Sequence, residues 1–396
     1  VKPTRTDFVQ TVVRALEKAG VEKVEEIAGD FALKVDGKNT IFLSNVYSNY
    51  CGAPRSRRSS VLAEFVTAAV ALPSLPEIPS EFSAVKPSLM PAIRDAAYFS
   101  IIQMLQRRDG KDDRGLEVAT KPLVSGLMIS LAYDTERSIT SINQNQFDKW
   151  GVSLEEAFAA AKDNLWERTD PGKMAGQGGV YWSQWGDSYD SSRILLPELI
   201  YRLAVDGDPI AFVPNRNELW VTGANNSAGL AAILKDGTKT HFERGHPLSP
   251  DLYRLVDSRW EPYVPVDRTL RDLWMAMKRR RDAIDYAQQQ ELLNTIHSKE
   301  GLDLFVASYN ILERKGGSAS SVCVWSNGID SSLPQAESIA FMVDPEGGDH
   351  FVVAWEAAAA VVGDLMEKEA EFFPLRYRVR EFPNAEQVAK LRRLAS

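Results

Sequence analysis

The stretch Pro209-Ile-Ala-Phe-Val-Pro-Asn-Arg-Asn-Glu-Leu-Trp-Val-Thr222 decides the fold class. Its ends are short apolar runs and its middle, Pro214-Asn-Arg-Asn217, is rich in turn formers. Two such runs separated by so few residues read as a strand, turn, strand unit, and a small helix pattern follows around Ala228 to Leu234. The plan occurs upstream as well. Phe31-Ala-Leu-Lys-Val35 alternates, Asp36-Gly37 tolerates positive φ, and Thr40-Ile-Phe-Leu43 resumes the extended pattern before an apolar helix from Val61 to Leu72. Downstream, Ile339-Ala-Phe341 echoes Ile210-Ala-Phe212, and Asp330-Ser-Ser echoes Asp190-Ser-Ser, each with a proline soon after. Hairpins alternating with helices predict an α+β protein of two or three units, each a short antiparallel sheet with flanking helices. The echoes leave a diverged internal duplication open.

At 396 residues the chain exceeds one compact core, and its pattern sets the boundaries. Residues 1–80 form an N-terminal α+β unit that opens with a helix carrying Phe8, Val12, Val13, Leu16 and Ala19, with Thr6 and Asp7 to cap it and Gly20 to close it. Pro73, Pro76, Pro79 and Pro87 make a linker of about 73 to 88. Residues 85–265 form a middle α+β domain, with a strand from Leu123 to Ala132 and a helix from Ser153 to Leu165 in which Ser153 is the N-cap. Residues 266–300 are a helical connector. Residues 301–396 form a C-terminal α+β domain with strands at Leu304 to Leu312, Ser321 to Trp325, Ser338 to Val343, Phe351 to Trp355 and Leu375 to Arg380, and a helix through Ala357 to Glu369.

Composition excludes several classes. Hydrophobic residues at 44% and charged residues at 25% argue against wholesale disorder or a membrane bundle, and a net charge of -8 argues against a general nucleic-acid coat. The apolar stretches Val61 to Leu72 and Phe351 to Leu365 are broken by Glu64, Glu356 and Asp364, so no membrane span is expected. Lys2, Arg5 and Asp7 precede an amphipathic pattern, which predicts no export, and two distant cysteines, Cys51 and Cys323, suit a reducing, cytoplasmic setting.

The densest polar segment is Tyr181-Trp-Ser-Gln-Trp-Gly-Asp-Ser-Tyr-Asp-Ser-Ser-Arg193. Tyr181, Trp182, Trp185 and Tyr189 are candidate ligand-binding aromatics. Asp187 and Asp190 could act as an acid and base, with Arg193 steadying an anionic intermediate. The plainer reading makes Asp190 or Ser192 the cap of a helix beginning near Arg193, with Pro197 kinking it, and that reading is preferred. Arg55, Arg57 and Arg58, beside Asn45, Tyr47, Asn49 and Tyr50, could clasp an anion through Arg55 and Arg57, although solvated charge is the simpler account. The run Lys278 to Arg281, with Asp282 and Asp285 as close counter-charges, reads as an exposed helix face. His241, His246, His297 and His350 lack zinc-ligand spacing, and no Gly-x-Ser-x-Gly elbow or P-loop occurs, so no metal and no cofactor are expected.

Met90-Pro-Ala-Ile-Arg94, Leu131-Ala-Tyr-Asp134, Asn164-Leu165, Tyr189-Asp-Ser-Ser-Arg-Ile-Leu195, and Val213-Pro214 with Leu219 to Gly229 occur in an order that resembles the YtpQ-like bacterial proteins, family 1444 of the domains of unknown function. The resemblance covers roughly residues 85–260. It implies a cytosolic bacterial α+β protein and carries over no catalytic residue. The expected function is therefore a non-catalytic module that holds an unknown protein or a polar small molecule through hairpin edges and the aromatic loop at 181 to 193, an exposed edge strand pairing with a partner chain, with nucleic acid disfavoured. The alternative is a hydrolase using Asp187 and Asp190 with Arg193 on an anionic substrate.

Overall fold

The computed structural model describes residues 2–27, 31–37, 39–71, 77–110, 118–136, 138–313 and 319–395. Its helices are α1 (Arg5–Lys18), α2 (Ser44–Gly52), α3 (Arg58–Ala71), α4 (Phe82–Val85), α5 (Ala96–Arg108), α6 (Asn145–Trp150), α7 (Leu154–Glu167), α8 (Pro197–Ile200), α9 (Ser227–Glu243), α10 (Arg268–Glu300), α11 (Trp355–Val362) and α12 (Ala385–Arg393). Strands β1 (Val24–Glu26), β2 (Ala32–Val35) and β3 (Asn39–Phe42) are followed by β4 (Leu89–Asp95), β5 (Thr120–Val124), β6 (Leu127–Asp134) and β7 (Ile139–Ser141). Next come β8 (Met174–Gln177), β9 (Val180–Ser183), β10 (Pro209–Asn215), β11 (Glu218–Gly223), β12 (Leu252–Val256) and β13 (Arg259–Tyr263). The last are β14 (Phe305–Val306), β15 (Asn310–Glu313), β16 (Ala319–Ser326), β17 (Ser331–Pro334), β18 (Ser338–Asp344), β19 (Asp349–Ala354), β20 (Glu367–Glu369) and β21 (Arg376–Val379). Helices and small, mainly antiparallel sheets make this an α+β fold.

The chain divides into two compact units, residues 1–93 with 118–123 and 129–263, and residues 94–117 with 124–128 and 264–396. This redraws the expected boundaries. The N-terminal block shares a unit with the middle one, and the connector helix belongs with the C-terminal block.

In the first unit, β1, β2 and β3 form an antiparallel sheet turned at Asp36 and Gly37, both at positive φ. Phe8, Val12 and Leu16 of α1 bury against Leu33, Val35 and Ile41 of that sheet and against Val46 and Val66. The cap of α1 is Thr4, whose hydroxyl accepts the amide of Asp7, so the expected caps Thr6 and Asp7 lie within the first turn; Asp7 completes the box from within the helix. The proposed linker lies in part outside the described residues, and its described part holds α4 and a 3-10 turn at Lys86–Ser88. The expected strand from Leu123 to Ala132 is broken at Gly126, which turns at positive φ between β5 and β6. A six-stranded sheet of order β13-β12-β10-β11-β9-β8 carries the deciding hairpin at its centre, with every residue of β10 buried.

In the second unit, α10 starts at Asp267, whose carboxylate accepts the amide of Leu270, and ends at Gly301 in the left-handed conformation. Leu292, Leu293 and Ile296 of α10 pack with Met104 of α5, Val306 and Phe372. Two four-stranded sheets follow, of order β14-β17-β21-β20 and β15-β16-β18-β19, so the single strand expected over Leu304 to Leu312 splits between them. Helix α11 ends at Val362 and the chain is extended again at β20, short of the helix expected to Glu369. Hairpin, Asp-Ser-Ser, hairpin, helix recurs in element order in both units. The pairing differs: β9 joins β11 antiparallel, whereas β16 joins β18 parallel.

Candidate functional site

The Tyr181–Arg193 segment leaves β9 and returns to the sheet through a 3-10 turn at Ser191–Leu195. Tyr181 and Trp182 sit on the strand. Trp182 faces Trp220 across the β9–β11 ladder with ring centroids 6.1 Å apart, and Tyr181 lies over Gly176, where a Cβ would stand 2.5 Å from its ring. Both side chains are half-buried.

Beyond the strand the loop closes on itself. Asp190 does not cap the helix ahead, as expected; its two carboxylate oxygens reach back to the amides of Trp185, at 3.0 Å, and Gly186, at 2.9 Å. Gly186 turns at positive φ, and so does Ser188, a conformation that costs a side-chain-bearing residue free energy and persists only where neighbours hold it. The holding group is Asp187. Its Oδ1 accepts the amide of Tyr189 at 3.0 Å and Nη1 of Arg193 at 2.8 Å, and its Oδ2 accepts Nη2 of Arg193 at 2.7 Å. Arg193 is fully buried, with its Cζ 4.2 Å from the centre of the Trp185 ring. Its Nε donates to Thr169 Oγ1 and its Nη2 to the Arg168 carbonyl, so the guanidinium also fastens the end of α7. Burial alone would raise the Asp187 carboxyl, but the hydrogen bonds and charge of Arg193 outweigh it and hold the group below the usual carboxylate range. Pro197 opens α8 at its first turn and kinks no helix, because its missing amide is needless there.

Chemically, the arrangement spends both carboxylates and the arginine on one another and on backbone amides. A base needs a free lone pair directed at substrate, and an oxyanion clamp needs free donors. Trp185 and Tyr189 are buried in the same loop.

The other candidates are dispersed. Arg55 and Arg57 lie exposed on a 3-10 turn. Asn45 and Asn49 accept the amides of His246 and Gly245, Tyr47 donates to the Pro3 carbonyl, and Arg58 covers the Tyr50 ring. The anion-clasping cluster is thus drawn apart by the packing of α2. Of the basic run Lys278 to Arg281, expected as an exposed face, Arg280 is exposed and the other three are partly buried. Arg279 makes a fork with Glu337 at 2.6 and 2.9 Å, Arg281 pairs with Asp95 and Asp285, and Lys278 pairs with Asp282. Burial alone would lower the pKa of Arg281, and the charges of Asp95 and Asp285 overcome it.

Sequence reasoning named hairpin edges as binding surfaces but not which edge is exposed in the second unit. All four residues of β15 are exposed at the outer edge of its sheet, with Ile311 and Leu312 at 40% and 50%. The signal was Asn310-Ile-Leu-Glu313, two apolar residues between polar ones, which reads equally as an interior strand end.

The fold and this loop define an α+β protein whose central polar cluster is locked by an arginine–carboxylate fork. Among curated proteins the chain is similar to a UPF0354 protein of Listeria innocua, 30% identical over 121 residues that cover 30% of this chain and 45% of that protein. The match thus spans less than half of that relative's length, and its name states no activity. No family model matches the chain, and no solved structure matches it. Among the described residues no helix is long and apolar enough to cross a membrane.

Proposed function

We propose that this protein is a non-catalytic binding module that takes an extended peptide segment of a partner protein along β15. The observation that carries the reading is the edge itself. Among the described residues strand β15 pairs with β16 alone, so that its other side is the outer edge of the sheet, with Ile311 and Leu312 exposed. Natural sheets guard such an edge with charges, prolines or bulges. Strand β15 has one exposed charge, Glu313, at its end and no proline, and a weakly guarded edge is a template for strand addition, in which backbone hydrogen bonds bind and alternate side chains select. The internal engagement of Asp187, Asp190 and Arg193 supports a structural role for the polar loop. The half-buried Tyr181 and Trp182 and the exposed Arg55 and Arg57 remain secondary contact candidates. The YtpQ-like resemblance, with the partial similarity to the Listeria protein, supports a bacterial protein of that lineage, and two free cysteines suit a cytoplasmic setting.

The test is selection of binders from a library of extended peptides, followed by titration against two variants. Selected peptides lose at least about tenfold in affinity with Ile311→Lys/Leu312→Lys, and keep it with Asp187→Asn. Binding indifferent to the β15 substitutions would remove the reading.

A further inference from the structure

Asparagine precedes glycine once in the chain, at Asn327-Gly328, in the turn that carries β16 into β17. Both residues are exposed. The Ile329 amide closes the turn on the Ser326 carbonyl at 3.4 Å, and Gly328 takes a positive φ of 76°, which glycine adopts without strain. Glycine also bares its own amide. Its chain neighbours apart, no atom lies within 4 Å of where a Cβ would stand on Gly328, and among the described residues that amide has no acceptor.

The Asn327 side chain is held from one side only. Its Nδ2 donates to the Val343 carbonyl at 3.2 Å, while its backbone amide donates to the Met342 carbonyl at 3.0 Å. Asn327 lines a surface pocket with Val343, Phe382, Ala385 and Arg392, so water reaches its carboxamide. Cγ and the nitrogen of the next residue are joined by so few bonds that attack of one on the other closes a small ring, and an intramolecular attack gains heavily over a bimolecular one. Any residue other than glycine in the second place would crowd that approach with its side chain.

We propose that Asn327 is a site of spontaneous covalent modification, at which the side-chain amide is lost and the turn becomes a mixture of aspartyl and isoaspartyl forms. The Gly328 nitrogen gives its proton to solvent base and attacks Cγ. A Cγ–N bond forms, the Cγ–Nδ2 bond breaks, and the departing nitrogen takes up a proton and leaves as ammonia. Water, the co-reactant, then opens the cyclic imide. Addition at Cγ yields aspartate with the backbone unchanged, and addition at the main-chain carbonyl carbon yields isoaspartate, in which the chain runs through Cβ and Cγ and is longer by a methylene. An amide nitrogen is exchanged for the oxygen of water, with no oxidation or reduction. Either product gains a carboxylate and lacks Nδ2, so the Val343 carbonyl loses that donor.

Incubation of the folded full chain at mildly alkaline pH tests the proposal, read by peptide mass mapping and by labelling with an isoaspartyl-specific carboxyl methyltransferase and S-adenosylmethionine. The peptide holding Asn327 becomes about 1 Da heavier, at least about tenfold faster than those holding Asn217 and Asn384, which are also exposed but precede Glu218 and Ala385. The rate climbs with pH, because the attacking nitrogen must lose its proton. Asn327→Gln, whose longer side chain disfavours the ring and which leaves Gly328 in place, lowers methyl acceptance at least about tenfold. An Asn327 peptide that keeps its mass throughout overturns the proposal. So does modification of Asn217 or Asn384 at an equal rate, or methyl acceptance that Asn327→Gln leaves at the wild-type level.

Discussion

Asp187 and Arg193 show how a single pair can hold a strained loop. The guanidinium is wholly removed from water, so taking away its partner strands a buried charge, whereas the carboxylate is a third exposed and recovers some hydration when freed. Asp187→Asn is accordingly expected to cost about 3 kcal/mol, the low end for breaking a buried pair, measured as a lowered urea midpoint at neutral pH. The pair also titrates. Because the folded carboxyl binds its proton less readily than the unfolded one, the pair's stabilisation is complete above about pH 4 and is lost as pH falls through the folded pKa. Between pH 6 and pH 2.5, then, wild type loses more stability than Asp187→Asn, and the two urea midpoints converge. Parallel lines would show that Asp187 contributes nothing through its charge. Cys323 offers a second residue-scale check. It is fully buried and burial pushes its thiol up to about 12, while Cys51 is only half-buried. In native protein a thiol reagent should titrate Cys51 well before Cys323, and in urea both should react together.

Among the elements, Glu337 links α10 to the sheet that follows it. Its carboxylate takes the Arg279 fork and, at 2.8 Å, the amide of Ser321 on β16. Burial pulls its carboxyl up, but Arg279 and Ser321 pull it down further, so it stays charged. Glu337→Ala removes an ion pair and leaves a buried amide unsatisfied, for an expected loss of about 2 to 3 kcal/mol, while Glu337→Gln, which keeps an acceptor, should lose less. Equal melting temperatures for both variants and wild type would show that helix and sheet do not depend on this link. The contact also marks where sequence stops being informative. Hairpins such as β10–β11, from Pro209 to Gly223, are local, written in short apolar runs and turn residues, and they were legible. The strands β12 and β13 were legible too but passed over: Leu252-Tyr-Arg-Leu-Val256 and Arg259-Trp-Glu-Pro-Tyr263 flank Asp257 and Ser258, which turn at positive φ. Helix α5 announces itself through Asp95 as N-cap and through Ile101, Met104 and Leu105. The destinations of charged groups were not legible. Arg279 meets Glu337 58 residues on, and Arg281 meets Asp95 186 residues back, so these partners could not be read from the run, whereas the nearby counter-charges Asp282 and Asp285 could. The polar loop failed differently. Its carboxylates and arginine were seen, but which oxygen faces which donor depends on the positive φ of Ser188, a feature no propensity assigns to serine.

For the molecule as a whole, the discontinuity of the second unit has a testable consequence. Its C-terminal part begins at residue 264, yet residues 94–117 and 124–128 belong to it. Helix α5 supplies Met104 to the apolar group formed by Leu292, Leu293 and Ile296, and Asp95 to the buried Arg281. Arg107 forks onto Glu300 at 2.8 and 2.6 Å, and Ser100 accepts the amide of Phe373. A fragment of residues 264–396 would therefore expose the inward face of α10 and leave Arg281 without the Asp95 carboxylate. Such a chain keeps its secondary structure but lacks fixed packing, so it should bind a hydrophobic dye, melt without cooperativity and show a weak near-ultraviolet dichroism signal. Adding a peptide of residues 94–110 in excess should suppress the dye binding and sharpen the melt, because the helix restores both the apolar cover and the missing carboxylate. The same peptide with Asp95→Asn and Met104→Asp should do neither. If the 264–396 fragment instead unfolds in a single sharp transition with a native-like signal and ignores the peptide, the C-terminal block folds by itself and α5 is an accessory to it.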